Sequence, residues 1–181
     1  VIHDPRSDVY LIANAGEGDA PGFISSVLPD GQMDALRWID GAADGVALNT
    51  PAGMALVDNR LFVTDGAFLR VFDRESGRSR GEVHVLGAIS LGDVAVGSRG
   101  EVYVTDWGVS AARSAAHGTV YRISRRGAVR AIAKSSVLGR PSGVVTIGKQ
   151  PWVASVEPDM FYGVSRRGKL THGAALPATG R

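Results

Sequence analysis

The chain has 181 residues, of which 44% are hydrophobic and 21% charged, and this composition excludes a disordered, collagen-like or coiled-coil protein. The lack of cysteine excludes a disulfide scaffold, a thiolate zinc site and a cysteine nucleophile. Its 24 glycines are about twice the usual share. Together with 8 prolines they favour an all-β fold of short strands joined by tight turns.

The net charge of +2 conceals an asymmetry, because residues 1–73 carry 11 acidic and 4 basic side chains whereas residues 74–181 carry 7 and 16. The arginines fall largely at predicted turns, where a solvated charge costs little, so we expect no nucleic-acid partner. No apolar run approaches 18 residues, which predicts a soluble protein that does not cross a membrane. The chain begins at Val1 without a methionine, so we expect that an upstream segment is missing.

Short strands are predicted along the whole chain. In chain order they include Val9–Ile12, Phe23–Val27, Pro51–Ala55, Leu61–Asp65, Phe68–Phe72, Leu91–Ala95, Val102–Asp106, Tyr121–Ser124, Pro141–Val145, Trp152–Ser155 and Tyr162–Ser165. Two of these patterns return with the same offset of 41 residues. Leu61–Asp65 returns as Val102–Asp106, and Tyr121–Gly127 returns as Tyr162–Gly168. Two independent matches at one offset indicate a repeat rather than chance similarity.

Each repeat has a glycine-opened strand, two aromatic strands, a glycine turn and a short fourth strand. Four strands in about 41 to 52 residues are typical of a β-propeller blade, which buries its faces only by stacking on neighbouring blades. We therefore predict one β-propeller domain with about four blades, at approximately residues 1–45, 46–88, 89–136 and 137–181. The chain is then a partial six-bladed propeller, a small ring, or a ring completed by missing blades or by an oligomer.

Two stretches interrupt the repeat between the second and third strands of their blades. Residues 14–22 predict a loop, and the alanine-rich residues 110–117 predict one turn of helix. Insertions at the same place in two repeats are typical of a propeller with elaborated loops on one face.

Several short motifs, in order, resemble the senescence-marker-protein/gluconolactonase family of six-bladed propellers and, more loosely, the NHL-repeat propellers. The motifs are Asp4-Pro5, Gly22–Ile24 with Pro29–Gly31, Leu36–Gly41, Leu48–Met54, Leu91–Ala95, Tyr103–Asp106 and Arg140–Val144. The resemblance covers nearly the whole chain. It implies a divalent metal, usually calcium, at the mouth of the central channel, where it would polarise a lactone carbonyl for hydrolysis.

The ligand positions that the resemblance implies are largely altered in this chain. A glutamate ligand would precede Val1, and an asparagine ligand corresponds to Gly92, while a second asparagine corresponds to Ser142. Asp93 remains as a candidate metal ligand, but one carboxylate does not hold calcium against water. The resemblance therefore implies ligand-binding positions at Asn49, Asp93 and Ser142, around an incomplete calcium site. Trp107 is a further candidate ligand-binding residue, because it lies beside the insertion at residues 110–117.

Other residue patterns favour structural interpretations. Asp65 and Asp106 end equivalent strands, and we expect them to accept hydrogen bonds from the following turns rather than to form a catalytic pair. The four histidines lack metal-ligand spacing, and Gly16-Glu17-Gly18 lacks the lysine of a phosphate-binding loop. Trp38, Trp107 and Trp152 are expected to pack between blades, and ligand binding is the alternative for Trp107. Arg125-Arg126 and Arg166-Arg167 precede glycine in matching turns and form a candidate surface for an acidic partner.

Two functions follow from these patterns. The first is a propeller that binds a small molecule at the channel mouth, or a protein, without catalysis. The alternative is a calcium-dependent sugar-lactone hydrolase. The altered positions Gly92 and Ser142 favour the binding propeller, and whether the chain is an enzyme stays open. The sequence does not fix the compartment, although an export signal before Val1 would make the parent protein periplasmic.

Overall fold

Four antiparallel sheets, each with its four strands paired in chain order, make up the fold. The structure is a computed structural model that describes residues 1–108, 117–156, 159–171 and 173–175. Its first sheet contains β1 (Ile2–Asp4), β2 (Val9–Asn14), β3 (Phe23–Val27) and β4 (Met33–Asp40), and its second contains β5 (Pro51–Val57), β6 (Arg60–Asp65), β7 (Phe68–Asp73) and β8 (Ser79–His84).

The third and fourth sheets repeat the same order. The third contains β9 (Leu91–Val96), β10 (Val102–Asp106), β11 (Gly118–Ile123) and β12 (Val129–Ser135). The fourth contains β13 (Pro141–Ile147), β14 (Gln150–Val156), β15 (Asp159–Val164) and β16 (Leu170–Thr171). A single 3₁₀ turn at Ser136–Leu138 connects them. None of the helical structure in the described ranges is long and apolar enough to cross a membrane.

The predicted repeat coincides with these sheets. Leu61–Asp65 and Val102–Asp106 lie in the second strands β6 and β10, while the Tyr121 and Tyr162 motifs form the third strands β11 and β15 and their turns. The loop predicted over residues 14–22 connects β2 and β3. The fourth strand is not uniformly short, because β4 has eight residues. The helical turn predicted at 110–117 lies, apart from His117, outside the described residues.

The turns after the four third strands are closed in a similar way, although the turn of the second sheet is one residue longer than the others. Counting from the first turn residue defines equivalent positions in the four sheets. Each is closed by a hydrogen bond from the N–H of a glycine with positive φ to the carbonyl of the residue that begins the turn. The glycines are Gly31, Gly77, Gly127 and Gly168, and the first turn residues are Leu28, Asp73, Ser124 and Ser165. Only glycine adopts such φ values without strain, which explains their recurrence.

The sheets are grouped into two compact units, Val1–Val85 and Leu86–Arg181. In the first unit, apolar side chains of the first and second sheets share one buried core that includes Leu11, Ile24, Leu61, Val63 and Phe72. In the second unit, the third and fourth sheets share a core that includes Tyr103, Val120, Val144, Val153 and Tyr162. A single four-stranded sheet cannot bury its apolar faces alone, so each unit gains its stability by stacking two sheets.

Candidate functional site

The first strands of the second, third and fourth sheets each contain a β-bulge close to their beginning. The register shifts between Pro51 and Met54 in β5, between Leu91 and Val94 in β9, and between Pro141 and Gly143 in β13. A bulge adds an unpaired residue, bends the strand and redirects its side chains, and bulges are frequent beside functional sites. The residues at the first bulged positions are Ala52, Gly92 and Ser142.

A threonine in the adjacent strand holds two of these bulges in place. The Thr105 hydroxyl accepts the N–H of Asp93 at 2.9 Å, and the Thr64 hydroxyl accepts the N–H of Gly53 at 2.8 Å. Both threonines are fully buried. The repeated Thr-Asp pair at the ends of β6 and β10 is therefore the sequence feature that fixes the bulge geometry.

The aspartates of these pairs fix the segments that lead into the bulged strands. Asp65 accepts the N–H groups of Asn49 and Thr50 at 3.0 and 2.7 Å. Asp106 accepts those of Ile89, Ser90 and Gly108, the closest from Ser90 at 2.9 Å.

The expectation that the donors come from the following turn is correct only for Gly108. The other donors belong to the segment that precedes the bulged strand, because the end of the second strand lies beside the beginning of the first. Asp65 and Asp106 are each only 2% exposed, and backbone donors occupy both carboxylates. They act as structural residues.

Asp93, the candidate metal ligand, lies at the bulge of β9 and joins two strands. Its Oδ2 accepts the N–H of Val144 in β13 at 2.9 Å. A second link at the other end of these strands runs from the Thr146 hydroxyl to the Val96 carbonyl, at 2.8 Å. One oxygen of this half-buried carboxylate thus holds the third and fourth sheets together, which reduces its capacity to bind a cation.

Trp107 occupies the space beside Gly92. A Cβ added at Gly92 would overlap Nε1 of Trp107 and lie 3.0 Å from the hydroxyl oxygen of Thr105. The Arg140 guanidinium lies 5.6 Å from the centre of the indole ring, within the range of a cation–π contact. Glycine is required at position 92 because the indole has taken the volume that a side chain would need.

Of the four predicted ligand-binding residues, the structure brings three to one end of the second unit. Asp93, Trp107 and Ser142 lie there together with Arg140, and we name these four residues the entry cluster. Ser142 is half-buried, next to Gly143, where an added Cβ would lie 3.9 Å from Oδ2 of Asp93.

Asn49 belongs to the first unit and is exposed. Its N–H binds Asp65, and its carbonyl accepts the N–H of Gly16 at 2.9 Å. Sequence reasoning did not select Arg140 as a site residue. Its position directly before Pro141, at the start of a bulged strand, was the available signal.

The residues in the described ranges do not fit a calcium site. Calcium takes six to eight oxygen ligands, with carboxylates prominent among them. No group of three or more histidine, aspartate or glutamate side chains able to hold a metal occurs in the described part of the chain. At the first bulged positions only Ser142 offers a side-chain oxygen, because the other two residues are Ala52 and Gly92.

Solved structures with the same arrangement of sheets are numerous, although no protein-family model and no curated protein matches the sequence. Virginiamycin B lyase from Staphylococcus aureus has a TM-score of 0.62 at 14% identity, over 98% of this chain and 59% of its own. A protein provisionally named a gluconolactonase has a TM-score of 0.60 at 13% identity, over 96% and 71%. The PQQ-bound aldose sugar dehydrogenase of Streptomyces coelicolor has a TM-score of 0.55 at 16% identity, over 93% and 57%.

These solved structures are β-propellers. The chain has a β-propeller fold, and the four sheets are its blades. This confirms the predicted fold class and agrees with the resemblance to gluconolactonase-like propellers. The propeller described here spans 59% of the virginiamycin B lyase chain. At identities of 13 to 16% the similarity establishes the fold alone, so the roles of individual residues rest on their geometry.

Proposed function

We propose that this chain is a propeller that binds a polar small molecule, of the sugar type, at the entry cluster and does so without a metal. The observation that carries the proposal is the packing of Trp107 against Gly92. An aromatic side chain fills the position at which the gluconolactonase resemblance implies a metal-ligating asparagine.

The entry cluster offers the groups that sugar recognition uses. Trp107 is half-buried, so part of an aromatic surface is available for the apolar face of a sugar ring. Beside it, Arg140 supplies hydrogen-bond donors and the Ser142 hydroxyl supplies a donor and acceptor. The Asp93 carboxylate has acceptor capacity beyond the single bond to Val144.

The solved structures give limited support of a different kind. A provisional gluconolactonase and an aldose sugar dehydrogenase are named after sugar substrates. Because a fold does not determine a function, these names only guide the choice of ligands to be tested. A sugar or sugar lactone is the appropriate first class of probe.

Thermal unfolding in the presence of sugars and sugar lactones tests the proposal. A ligand that binds only the native state raises the melting temperature by mass action. We expect such a rise with at least one sugar, unchanged by EDTA and by millimolar calcium. The Trp107→Ala variant should lose the rise. Trp152→Ala is the matched control, because that ring stacks on Phe161 at 5.2 Å within the fourth sheet and should not affect binding.

Two outcomes would contradict the proposal. If no sugar changes the melting temperature, or if Trp152→Ala reduces the response as much as Trp107→Ala does, the entry cluster is not a sugar site. If calcium itself raises the melting temperature and the protein hydrolyses a sugar lactone, the calcium-dependent hydrolase is the correct function.

A further inference from the structure

A second candidate site lies at the opposite end of the blades in the second unit. The strand β9 begins at Leu91, beside the entry cluster, and ends at Val96. The hairpin that follows it borders a surface cavity of about 280 Å³. The cavity is lined by side chains from the β9–β10 hairpin, from β11 and its turn, and from the turn after β15. These residues are Arg99, Glu101, Tyr103, Arg122, Ser124, Arg125 and Arg166.

The charge of this cavity is unbalanced. Four arginine side chains face a single carboxylate, that of Glu101. Throughout the described ranges, none of these four guanidinium groups has a carboxylate oxygen within 4.0 Å. Collecting like charges at one place costs free energy unless an anion compensates them. We name this cavity, with its seven lining residues, the arginine cavity.

Glu101 is already engaged in holding the cavity wall. Its carboxylate accepts the N–H of Arg99 at 3.0 Å and the hydroxyl of Tyr103 at 3.2 Å. Burial of Glu101 opposes its ionisation, but these hydrogen bonds and its own N–H outweigh that effect and lower its pKa. Burial, followed by the nearby Glu101 charge, raises the pKa of Tyr103. Glu101 thus fixes the phenol at the cavity wall and does not pair with the remaining arginines.

Two arginines of the cavity occupy equivalent and defined positions. Arg125 and Arg166 each follow the serine that begins the turn after a third strand. In both turns the serine N–H and the glycine N–H make 2.9 Å backbone hydrogen bonds, so the backbone under each arginine is fixed. Arg125 also packs against Gly100, where an added Cβ would lie 3.3 Å from its side chain.

The immediate sequence neighbours Arg126 and Arg167 do not line the cavity. In each Arg-Arg-Gly turn, therefore, the first arginine lines the cavity and the second lies outside it. This difference provides a matched control. Replacing Arg125 and Arg166 changes the net charge of the protein as much as replacing Arg126 and Arg167 does.

We propose that the arginine cavity binds the phosphate group of a small phosphorylated molecule. The planar guanidinium group matches phosphate oxygens in a bidentate manner, which makes arginine the preferred residue for such groups. The Ser124 hydroxyl accepts the N–H of Ala128 at 3.1 Å, and its own O–H provides a neutral donor at the same wall. A volume of about 280 Å³ is near the lower end of small-molecule sites, so a phosphate with a small attached group fits better than a large cofactor.

Isothermal titration of the whole chain with inorganic phosphate and with glucose 6-phosphate tests this site, with glucose as the uncharged reference. We expect one saturable site for both phosphates at physiological salt and none for glucose. Tighter binding of the ester would identify a phosphorylated molecule as the ligand, and equal binding would identify free phosphate. The affinity for the ester should rise at least threefold from pH 5 to pH 7.5, because its second pKa is about 6 and arginine does not titrate there.

The double variant Arg125→Gln with Arg166→Gln should weaken binding by at least about tenfold, because charge-assisted hydrogen bonds to phosphate are lost. The matched double variant Arg126→Gln with Arg167→Gln should stay within about twofold of the unmodified protein, since exposed charges outside the site are screened by salt. Circular dichroism should show that both double variants are folded. The Arg122→Gln variant, with its substitution in the strand β11, should independently weaken phosphate binding. Absence of saturable binding, or equal weakening by the two double variants, would overturn the proposal.

Discussion

Arg74 in the first unit and Arg166 in the second occupy the same position in equivalent turns, but their environments differ. Arg74 is 9% exposed, and its guanidinium makes two hydrogen bonds to Asp4, with 2.8 Å between Nε and Oδ2. Arg166 is exposed, and no described carboxylate lies within ion-pair distance of it. One turn position thus supports a buried ion pair in one unit and an available cation in the other.

The difference originates in a neighbouring strand rather than in the turn. Asp4 lies opposite Val9 at the end of β1. In the third sheet the corresponding pair is Val96 opposite Val102, so a valine stands where the aspartate would be. Without an aspartate at this position of the adjacent blade, the equivalent arginine Arg166 has no counterion among the described residues.

The surrounding cavities show the same contrast. The first unit has a cavity of about 360 Å³ at the corresponding place, and its lining includes three carboxylates and two arginines. The arginine cavity of the second unit has one carboxylate and four arginines. The sequence agrees, because residues 1–85 contain 13 acidic and 7 basic side chains whereas residues 86–181 contain 5 and 13. We therefore expect anion binding in the second unit alone.

Removing the counterion of Arg74 should have the largest effect on stability. The Asp4→Asn variant leaves a buried guanidinium without its charged partner, which costs about 3 kcal/mol or more of unfolding free energy. Urea denaturation measures this loss. Asp8→Asn is the control, because Asp8 is exposed and pairs only with His3 at the surface. A loss below about 1 kcal/mol for Asp4→Asn would contradict the structural role of the pair.

Acid should weaken the first unit through the same pair. Hydrogen bonds from Arg74 hold the pKa of Asp4 well below its usual value of about 3.9. The folded state thus favours the ionised carboxyl, and this contribution is present above pH 4 and is lost as the pH falls towards the folded pKa. Denaturation between pH 5 and pH 2.5 should show a smaller acid loss for Asp4→Asn than for the unmodified protein. Equal losses would exclude this mechanism.

Equivalent strand-end aspartates should also differ between the units. Asp65 accepts two backbone N–H groups and pairs with Arg70, whose Nε lies 2.9 Å from Oδ2. Asp106 accepts only backbone donors among the bonds given by the described residues. Asn retains one acceptor oxygen, so Asp106→Asn should cost about 1 kcal/mol and Asp65→Asn about 2 kcal/mol. Urea denaturation of both variants measures the difference, and the reverse order would contradict it.

The fold could be predicted because repetition reveals equivalent strands without knowledge of any contact. The offset of 41 residues correctly identified β6 and β10, and likewise β11 and β15, as equivalent strands of different blades. The strand β1 could not be assigned to the repeat, since its three residues lack the glycine-opened pattern of β5, β9 and β13. The separation of Arg125 from Arg126 was equally hidden, because both residues occupy the same exposed turn in the sequence.

The candidate site could be predicted only in part, for a related reason. Asp93 and Ser142 were selected from motifs that the bulges do place at one end of the second unit. Contacts between distant residues were not accessible, such as the packing of Trp107 on Gly92 and the pairing of Asp4 with Arg74, which lie 70 positions apart. The first contact depends on side-chain packing beside a bulge within one blade and the second on how two blades stack, and local sequence patterns contain no information about either.

A methyl group at Gly92 should destabilise the second unit moderately. The Gly92→Ala side chain would overlap the indole of Trp107, and overpacking of this kind costs about 1 to 3 kcal/mol. In the Trp107→Ala background the same substitution should cost clearly less, because the space is then empty. A double-mutant cycle by urea denaturation gives the coupling. Additive effects of the two substitutions would mean that Trp107 does not determine the residue at position 92.

The smallest effect is expected for Arg166→Gln, and it provides the sharpest test of the contrast between the units. An exposed arginine without a carboxylate partner contributes little to folding, so the unfolding free energy should change by no more than about 0.5 kcal/mol. Arg74→Gln, at the equivalent position, should cost about 3 kcal/mol, because it leaves the buried Asp4 carboxylate unpaired.

Urea denaturation of the two variants under one set of conditions compares them directly. If Arg166→Gln proved as costly as Arg74→Gln, Arg166 would have a structural partner, and the arginine cavity would lose the unpaired cation on which phosphate binding depends. If Arg74→Gln proved harmless, the buried pair would not distinguish the units. The proposed contrast requires that Arg74→Gln lowers the unfolding free energy strongly and that Arg166→Gln hardly changes it. The same turn position would then stabilise the first unit and be available for ligand binding in the second.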